Sequence, residues 1–294
     1  MQFRPRRSVL YMPGSNARAL EKAKTLPADA LIFDLEDSVA PDAKDAARDQ
    51  LAAAVRDGGY GKREIVIRVN ALATPWGEAD LKMAARAAGD AVLLPKVETP
   101  EDIAAARLVL RAAGAGDGLT LWAMMETPRA MLHADRIAAT RQGQFQLEAF
   151  VLGTNDLAKE TGATLGQGRT GMLAWLSACV AAAKARGLDV IDGVYNAIGD
   201  EAGLRAELEQ GRALGMNGKT LIHPSQIGPC NEVFTPLADE VAWARKIIAA
   251  FALPDNAGKG VLSLEGKMVE RLHAEMARRT VTIADAIAER EGSA

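Results

Sequence analysis

Two acidic residues occupy similar positions in the sequence, each close behind a short apolar run. Glu126 directly follows "LWAMM" and precedes Thr-Pro, and Asp156 follows "FVLGTN" thirty residues later. A single acid at such a place has a structural explanation, because a carboxylate stabilises the N-terminus of a helix. Two such carboxylates brought together would instead suit Mg²⁺, which takes one or two protein carboxylates and completes its coordination with water and substrate oxygens.

Other polar residues stand at the ends of other apolar runs. Glu36 and Asp37 follow "ALIFDL", and Arg68 follows "EIVI". The guanidinium of Arg68 offers a planar pair of donors that matches a carboxylate, while Glu36 and Asp37 could hold metal-bound water. Structural alternatives stay open for these residues, with Asp37 and Asp156 as helix N-caps and Arg68 as a counter-ion for one of the acids.

The elements that must position these residues form a regular pattern. Short apolar runs recur along the chain, and most are continuous rather than alternating, as expected for parallel strands covered on both faces. Alanine-rich segments with helical periodicity lie between them, and several begin with Asp, Ser or Pro and end with Gly. The runs cover residues 7–12, 30–36, 64–70, 91–97, 119–126, 148–153, 189–195 and 218–223.

Eight strand–helix units within about 250 residues are typical of a (β/α)8 TIM barrel. A doubly wound sheet is the alternative, but no GxGxxG turn directly follows any of the runs. In a barrel the catalytic groups lie at the C-terminal ends of the strands, which is where the four acids and the arginine are found. We therefore predict a barrel over residues 1–252 that carries the active site. Residues 253–294 would form a helical appendage, either a lid or arm onto a neighbouring subunit or a helix packed on its own barrel.

Composition and charge narrow the classes of function. A net charge of −3 argues against a nucleic-acid-binding protein, which needs a dominant basic surface. The apolar stretch near the N-terminus is too short for a signal peptide, and no run approaches the roughly 18 apolar residues of a membrane helix. Cys179 and Cys230 are too few for a disulfide framework or a thiolate metal site. We therefore expect a reducing, cytoplasmic setting.

Several motifs, taken together and in order, resemble the HpcH/HpaI aldolase and citrate lyase β-subunit (CitE-like) family. They are "RRSVLYMPGSNARALEKA", "DALIFDLEDSVAPDAKDAAR", "IRVNAL", "LLPKVET", "METPRAM", "LGTNDLAKE" and "GKTLIHPSQI". The resemblance extends from residue 6 to about residue 250. It implies a (β/α)8 barrel, Mg²⁺, and a carbon–carbon bond cleaved or formed next to a CoA thioester or a pyruvate-like acid. It also implies a homo-oligomer, a trimer or a hexamer.

The resemblance assigns roles to individual residues. It implies that Arg68 binds the carboxylate of a 2-oxo acid, that Glu126 and Asp156 bind Mg²⁺, and that Glu126 also contacts the substrate. The same pocket would be lined by Gly153, Thr154 and Asn155. The N-terminal stretch would receive the CoA nucleotide, with a solvated basic face as the alternative. Its residues are Arg7, Tyr11, Pro13, Gly14, Arg18 and Lys22.

The C-terminal tail departs from the family pattern. CoA-ester lyases of this group often carry a tail that contains Gly-Lys-Met-x-Asp, whose aspartate closes over the cleft and handles a proton. Here the tail contains "GKMVE", with Glu270 at the aspartate position. Glutamate has the same chemistry and a longer reach, so we expect Glu270 to be a catalytic acid. An exposed helix acid is the alternative.

These expectations define one reaction. We predict a Mg²⁺-dependent lyase that cleaves or forms a carbon–carbon bond in a 3-hydroxyacyl-CoA of the citryl-, malyl- or citramalyl-CoA kind, with an acetyl-CoA-type thioester and a 2-oxo acid as products. The alternatives are a free 2-oxo-acid aldolase without CoA, a CoA thioesterase, a malate-synthase-like enzyme and a non-catalytic subunit of a lyase complex. A class I aldolase would need Lys96 or Lys219 as a Schiff base, but the acids near Lys96 would keep it charged.

Overall fold

The computed structural model describes residues 3–292, apart from the side chain of Gln167. Within these residues, eight parallel strands close into a barrel in chain order, with β1 hydrogen-bonded to both β2 and β8. The strands are β1 Ser8–Pro13, β2 Ala30–Asp34, β3 Glu64–Arg68, β4 Ala91–Leu94, β5 Thr120–Met125, β6 Leu147–Leu152, β7 Asp189–Asp192 and β8 Gly218–Leu221. The predicted (β/α)8 barrel is confirmed, and every run proposed as a strand overlaps one.

Helices follow the strands of the barrel as expected for βα units. They are α1 Ala17–Ala23, α2 Lys44–Asp57, α3 Gly77–Ala84, α4 Pro100–Ala112, α5 Pro128–Ala138, α6 Thr154–Thr161, α7 Leu173–Ala185, α8 Glu201–Leu214, α9 Ile227–Phe234, α10 Ala238–Ala252 and α11 Arg271–Glu291. Caps of the kind foreseen from the sequence are present in α8, where the Asp200 side chain accepts from the backbone N–H of Gly203 and Gly215 is the C-cap residue. No helix among the described residues has the length and apolar character needed to cross a membrane.

Strand alternation decides which side chains enter the barrel. Successive residues of a strand point to opposite faces, and the interior is filled by apolar side chains that occupy every second position. The C-terminal opening of the barrel is called the mouth below. The inward-facing side chain that follows the last interior position of a strand lies at this mouth. Acids from several strands and one arginine therefore meet there. The interior cluster consists of Val9, Ala30, Ile32, Val66, Ala91, Leu93, Trp122, Met124, Ala149, Val151 and Ile191, with Tyr11 packed against it.

A buried ion cluster closes the opposite, N-terminal end of the barrel. Arg6 forms two hydrogen bonds of 2.7 Å with Glu64 and further ones with Glu148 at 2.6 Å and Asp189 at 2.9 Å. Its guanidinium also lies 4.9 Å from the ring centre of Trp122 in the barrel interior. These contacts join the starts of β3, β6 and β7, so the floor of the barrel is sealed by charge pairing rather than by apolar packing.

The described residues divide into two compact units, residues 6–231 and a smaller unit of residues 3–5 and 232–292. In the smaller unit α10 packs against α11 and against a hairpin of β9 Val261–Leu264 and β10 Lys267–Glu270. The hairpin turn is Glu265–Gly266, and both residues have positive φ (50° and 79°), as a type I′ turn requires.

The division differs from the boundary at residue 252 that the sequence suggested. Helix α10 groups with the tail because Ala244 and Ile247 share an apolar cluster with Leu262, Val269 and Ala274. The strands β9 and β10 were also not foreseen, since the sequence analysis considered only helical spacing there. The assignment of catalysis to one segment and a lid or arm role to the other stays a prediction.

The Arg6 cluster gives a stability prediction. Breaking a buried ion pair by removing one partner typically costs about 3–5 kcal/mol, and we expect Arg6→Met to lower the free energy of unfolding by that amount in urea denaturation. The matched control is Arg186→Met, because Arg186 is half exposed and lies 3.5 Å from Asp135; a surface pair contributes less than about 1 kcal/mol. Equal, small losses in both variants would contradict a structural role for the floor cluster.

Candidate active site

The guanidinium of Arg68 is the buried cation of the mouth. Its Nε and Nη2 donate to the two carboxylate oxygens of Asp34, both at 2.7 Å. Burial alone would raise the pKa of Asp34, but the charge of Arg68 and these hydrogen bonds hold that pKa below its usual value. Asp34 also accepts from the backbone N–H groups of Glu36 and Ser38, at 2.8 and 3.0 Å. The ion pair therefore fixes both the arginine and the loop that follows β2.

Asp34 is a residue of this site that the sequence analysis did not single out. It ends β2, two residues after the inward-facing Ile32 and two before Glu36. Strand alternation alone was enough to place it inside the barrel. We overlooked it because it stands within the apolar run "ALIFDLE" rather than at its end.

Glu36 and Asp37 lie against the third nitrogen of the guanidinium. Oε2 of Glu36 is 2.9 Å from Arg68 Nη1, yet no N–H or O–H group of the described residues is directed at this buried oxygen as a hydrogen-bond donor. Burial raises the pKa of Glu36 to about 8, and the negative charges of Asp37 and Glu126 add to the effect while Arg68 opposes it. Asp37 is largely exposed and lies 3.2 Å from the same nitrogen.

A buried lysine holds the loop that carries Glu36. Lys44 Nζ donates to the backbone carbonyls of Leu35 and Glu36, at 2.8 and 2.6 Å. Asn70 Nδ2 donates to the Leu35 carbonyl at 2.9 Å, and Asp80 accepts from the backbone N–H of Asn70 at 3.0 Å. Asn70 therefore supports the loop that follows β2.

The carboxylate of Glu126 is buried at the end of β5, where only 1% of the residue is exposed. Its Oε1 accepts from the backbone N–H of Lys96 at 2.7 Å. Oε2 lies over Gly153, where a Cβ atom would come within 2.5 Å of it, so the carboxylate occupies space that only a glycine leaves open. Burial raises the pKa of Glu126 to about 7, although the charge and the N–H group of Lys96 oppose this.

Lys96 connects the two acids that the sequence analysis paired. Its ammonium donates to Asp156 Oδ1 at 3.0 Å. Burial alone would lower the pKa of Lys96, but the charge of Glu126 and the hydrogen bond to Asp156 raise it. A positive charge is thus held where Glu126 and Asp156 were predicted to bind a divalent cation.

The donor set of the mouth fits Mg²⁺. Among residues 3–292, no group of three or more His, Cys, Asp or Glu side chains is arranged to hold a metal ion, which disfavours a metal held entirely by the protein. Mg²⁺ needs only one or two protein carboxylates, which Glu126 and Asp156 supply. Burial is the main cause of the raised pKa values of Glu36 and Glu126, and a divalent cation nearby would stabilise their charged forms.

The predicted pocket residues after β6 begin helix α6. Gly153 is the N-cap residue, Thr154 is buried and Asn155 is exposed. Asn155 exchanges two side-chain hydrogen bonds with Asn196, at 2.9 and 3.3 Å, which joins the loops after β6 and β7. Because the first N–H groups of an α-helix have no acceptor within it, α6 directs hydrogen-bond donors towards the mouth.

Part of the predicted CoA-binding stretch lies against the ion pair of the mouth. The guanidinium of Arg68 lies 4.8 Å from the ring centre of Tyr11. The backbone N–H of Gly14, directly after Pro13, donates to the Asp34 carbonyl at 2.8 Å. Arg18 and Lys22 are exposed on α1, one helical turn apart. A role in binding the CoA nucleotide stays a prediction for these five residues, Tyr11, Pro13, Gly14, Arg18 and Lys22.

Arg7 was predicted to bind the CoA nucleotide, but it lies at the opposite end of the barrel. It precedes β1 and is buried in an ion pair with Asp29, with Nε and Nη2 donating to the carboxylate at 2.9 and 3.0 Å. The mouth lies at the other end of this strand, roughly 20 Å away at about 3.3 Å per residue. Arg7 therefore stabilises the N-terminal end of the barrel and is not a ligand of the mouth.

The elevated pKa of Glu36 gives a pH prediction. Because this pKa is about 8 in the native protein against 4.5 ordinarily, the native state binds more protons between these values, and the free energy of unfolding falls as the pH rises through them. We expect Glu36→Gln to remove that loss. The variant should gain a few kcal/mol over the wild type between about pH 5 and about pH 8.5, at about 1.4 kcal/mol per pKa unit.

The measurement is urea denaturation in EDTA at a series of pH values, with Glu275→Gln as the control because Glu275 is an exposed acid of α11. Parallel stability curves for the wild type and Glu36→Gln would contradict the elevated pKa.

Comparisons with known proteins agree with this geometry. The family model for HpcH/HpaI aldolase/citrate lyase matches residues 7–224. The (3S)-malyl-CoA thioesterase of Cereibacter sphaeroides is 50% identical over 98% of this chain and 97% of its own length. The citrate lyase subunit beta of Escherichia coli is 36% identical over 96% of this chain and 94% of its own.

Among solved structures, CitE from Mycobacterium tuberculosis in complex with magnesium, acetoacetate and coenzyme A is similar to this chain. It superposes with a TM-score of 0.73 at 28% identity, over 96% of this chain and 98% of its own. The resemblance noted from the sequence motifs is thereby confirmed over most of the chain. The protein belongs to the HpcH/HpaI aldolase/citrate lyase family.

Proposed function

We propose that the protein hydrolyses the thioester bond of a 3-hydroxy-dicarboxylic acyl-CoA of the malyl-CoA type. The observation that carries this proposal is the buried Arg68, held by Asp34 on two nitrogens, with its third nitrogen beside a carboxyl group whose pKa is near 8. The 50% identity to a malyl-CoA thioesterase over nearly the whole chain favours hydrolysis over the carbon–carbon cleavage that the motifs had first suggested.

Arg68 supplies recognition of the acyl group. The Nη1 edge of its guanidinium is in contact with Glu36 and Asp37. By displacing the exposed Asp37, the free carboxylate of a dicarboxylic acyl chain would bind this edge through charge-assisted hydrogen bonds. The N–H groups at the start of α6 add donors for the oxygen of the thioester carbonyl as negative charge develops on it. Together they orient the acyl chain, with its carboxylate at Arg68 and its thioester at the opening.

Glu36 supplies the proton acceptor for hydrolysis. Its buried Oε2 accepts no hydrogen bond from residues 3–292, although Arg68 Nη1 lies 2.9 Å away, and a carboxylate with a pKa near the working pH is suited to general base catalysis. In its ionised form it takes a proton from water as the water oxygen bonds to the thioester carbon. The carbon–sulfur bond then breaks, and the CoA thiolate leaves and is protonated. The products are the 3-hydroxy acid and free CoA.

Glu126 and Asp156 are proposed to hold Mg²⁺, with Asp37 near its water ligands. The ion, when bound, would polarise substrate oxygens as a Lewis acid. The Lys96 ammonium lies 3.0 Å from Asp156, so this side chain would have to move or share the carboxylate with the ion. The M. tuberculosis CitE complex, which contains magnesium, supports this assignment by analogy.

Carbon–carbon cleavage is the second candidate, favoured by the match to citrate lyase subunit beta. In that reaction a base removes the proton of the 3-hydroxyl, the bond between C2 and C3 breaks, and the electron pair forms the enolate of an acetyl-CoA-type thioester. An acid then protonates that carbon, and a 2-oxo acid is released. Glu270 was predicted to handle this proton. In the structure Glu270 is the N-cap residue of α11, and its backbone N–H donates to His273 Nδ1 at 2.9 Å, so its catalytic role stays a prediction.

Neither candidate lysine is suited to the Schiff-base chemistry of a class I aldolase. Lys96 is held in the ammonium form by its neighbouring acids. Lys219 is fully buried and paired with Asp192 at 3.1 Å and Glu207 at 2.5 Å. A Schiff base requires a neutral, accessible amine. Homo-oligomerisation as a trimer or hexamer and a cytoplasmic location stay predictions.

Product analysis distinguishes the remaining reactions. With malyl-CoA we expect release of free CoA and malate, a rate that rises with pH towards about pH 8 as Glu36 ionises, and a loss of at least about a hundredfold in Glu36→Gln. Thiol release and glyoxylate are measured in parallel. Glyoxylate with acetyl-CoA would identify a lyase instead. If thiol were released only from acetyl-CoA plus glyoxylate, the protein would be a malate-synthase-like enzyme. If it turned over free malate without CoA, it would be a CoA-independent aldolase.

Magnesium binding is tested without turnover, by calorimetric titration of the EDTA-stripped protein. We expect Glu126→Gln and Asp156→Asn each to weaken Mg²⁺ binding by more than about a hundredfold. Changing a residue that only hydrogen-bonds to a metal ligand typically weakens metal binding by about 10–100-fold. Asp45→Asn is the control, since this exposed acid lies on α2. If the wild-type protein took up no Mg²⁺, or if all three variants bound it equally, the proposed ligands would be wrong.

A further inference from the structure

The hydroxyl group of Thr154 is buried without a hydrogen-bond partner. Thr154 is the first residue of α6 and is 2% exposed, and no polar group in the described part of the chain pairs with its Oγ1. Buried polar groups in native proteins are nearly always paired, because an unpaired hydroxyl in an apolar environment loses its hydrogen bonds to water. An unpaired hydroxyl at the edge of an active site therefore points to a ligand.

The surroundings of Thr154 show where this hydroxyl is directed. A Cβ atom on Gly193 would lie 2.4 Å from Thr154 Oγ1 and 3.0 Å from its Cγ2. Gly193 follows β7 two residues after Ile191, which belongs to the interior cluster, so its open face is on the inner side of the barrel. The Thr154 hydroxyl thus occupies the space on the inner side of the barrel that any side chain at position 193 would need.

The same arrangement occurs one strand earlier. Glu126, after β5, leans over Gly153, which follows β6, as Thr154 leans over Gly193, which follows β7. Met125 pairs with Leu152 in the register of β5 and β6. Gly153 is therefore the residue that lies beside Glu126, and Thr154 follows it directly in the chain.

A buried ion cluster holds Gly193 in place. Its backbone N–H donates to Asp192 Oδ1 at 2.8 Å, and its carbonyl accepts from the ammonium of Lys219. Asp192 is paired in turn with Arg169 at 2.7 Å and with Lys219 at 3.1 Å. Because the glycine is fixed through its backbone, the space beside Thr154 has a defined shape, which is what selection between similar substrates requires.

We propose that the Thr154 hydroxyl recognises the 3-hydroxyl of the acyl group, which makes Thr154 a specificity residue. This inference rests on the proposed thioester hydrolysis for its substrate class. A hydroxyl both donates and accepts hydrogen bonds, so it pairs with a substrate hydroxyl. A substrate that lacks this group leaves Thr154 buried and unpaired, and sites built to hydrogen-bond a substrate hydroxyl reject analogues without it strongly.

The test compares malyl-CoA with succinyl-CoA, which differs only by the absence of the 3-hydroxyl. We expect Thr154→Val to lower kcat/KM for malyl-CoA by about ten- to a hundredfold and to leave that for succinyl-CoA unchanged or raised, so that the preference collapses. Thr154→Ser, which keeps the hydroxyl, should keep most of the preference. Thr161→Val is the matched control, because Thr161 ends the same helix and its hydroxyl donates to the Leu157 carbonyl.

Equal losses for both substrates in Thr154→Val would overturn the inference and would indicate that the hydroxyl holds water or supports the fold. A preference for malyl-CoA that survives in Thr154→Val would also overturn it. Calorimetric binding of malate and succinate separates this inference from the proposed reaction. If the wild type hydrolysed neither thioester but bound malate more tightly than succinate, and Thr154→Val lost that difference, recognition by Thr154 would stand and hydrolysis would be wrong.

Discussion

The charge of Arg68 lies inside the barrel, and the organisation of the mouth depends on how that charge is compensated. A buried ion loses its hydration and is tolerated only with a well-placed partner. Asp34 provides it through two parallel hydrogen bonds, the geometry in which guanidinium and carboxylate groups match best. Since this pairing uses Nε and Nη2, the Nη1 edge is turned towards Glu36 and the opening. One ion pair thus sets the orientation of the group that is proposed to bind substrate.

The two ends of the barrel use charge in different ways. At the floor the guanidinium of Arg6 is surrounded by carboxylates that all bond to it, and the cluster is a structural seal. At the mouth the acids outnumber their cations, so burial and mutual repulsion raise the pKa values of Glu36 and Glu126. Such perturbed carboxyl groups cost stability, and they are typical of sites that bind cations or move protons.

Glycines determine how closely the functional groups of neighbouring strands approach each other. Glu126 and Thr154 both occupy space that a side chain at Gly153 or Gly193 would take. Hydrolysis and carbon–carbon cleavage would share this arrangement, because both need the acyl carboxylate, the thioester and the 3-hydroxyl held in fixed positions. The two reactions differ in where a proton is taken and returned.

The sequence by itself determined the barrel, because continuous apolar runs and helical periodicity are local features that repeat along the chain. It also identified Glu36, Asp37, Arg68, Glu126 and Asp156 as residues of one mouth, since parallel strands in a barrel end on the same side. These inferences need only strand direction and alternation, which are properties of the backbone.

Only the tertiary structure decided which of these groups are paired. It showed that Asp34 holds Arg68, that Lys96 lies between two acids, and that Arg7 is buried at the far end of β1. Pairing depends on distances between side chains from different strands, and burial depends on what covers them. Neither is a function of spacing along the chain. For the same reason the sequence could not show that the Thr154 hydroxyl is buried without a partner, which only the packing of α6 over β7 brings about.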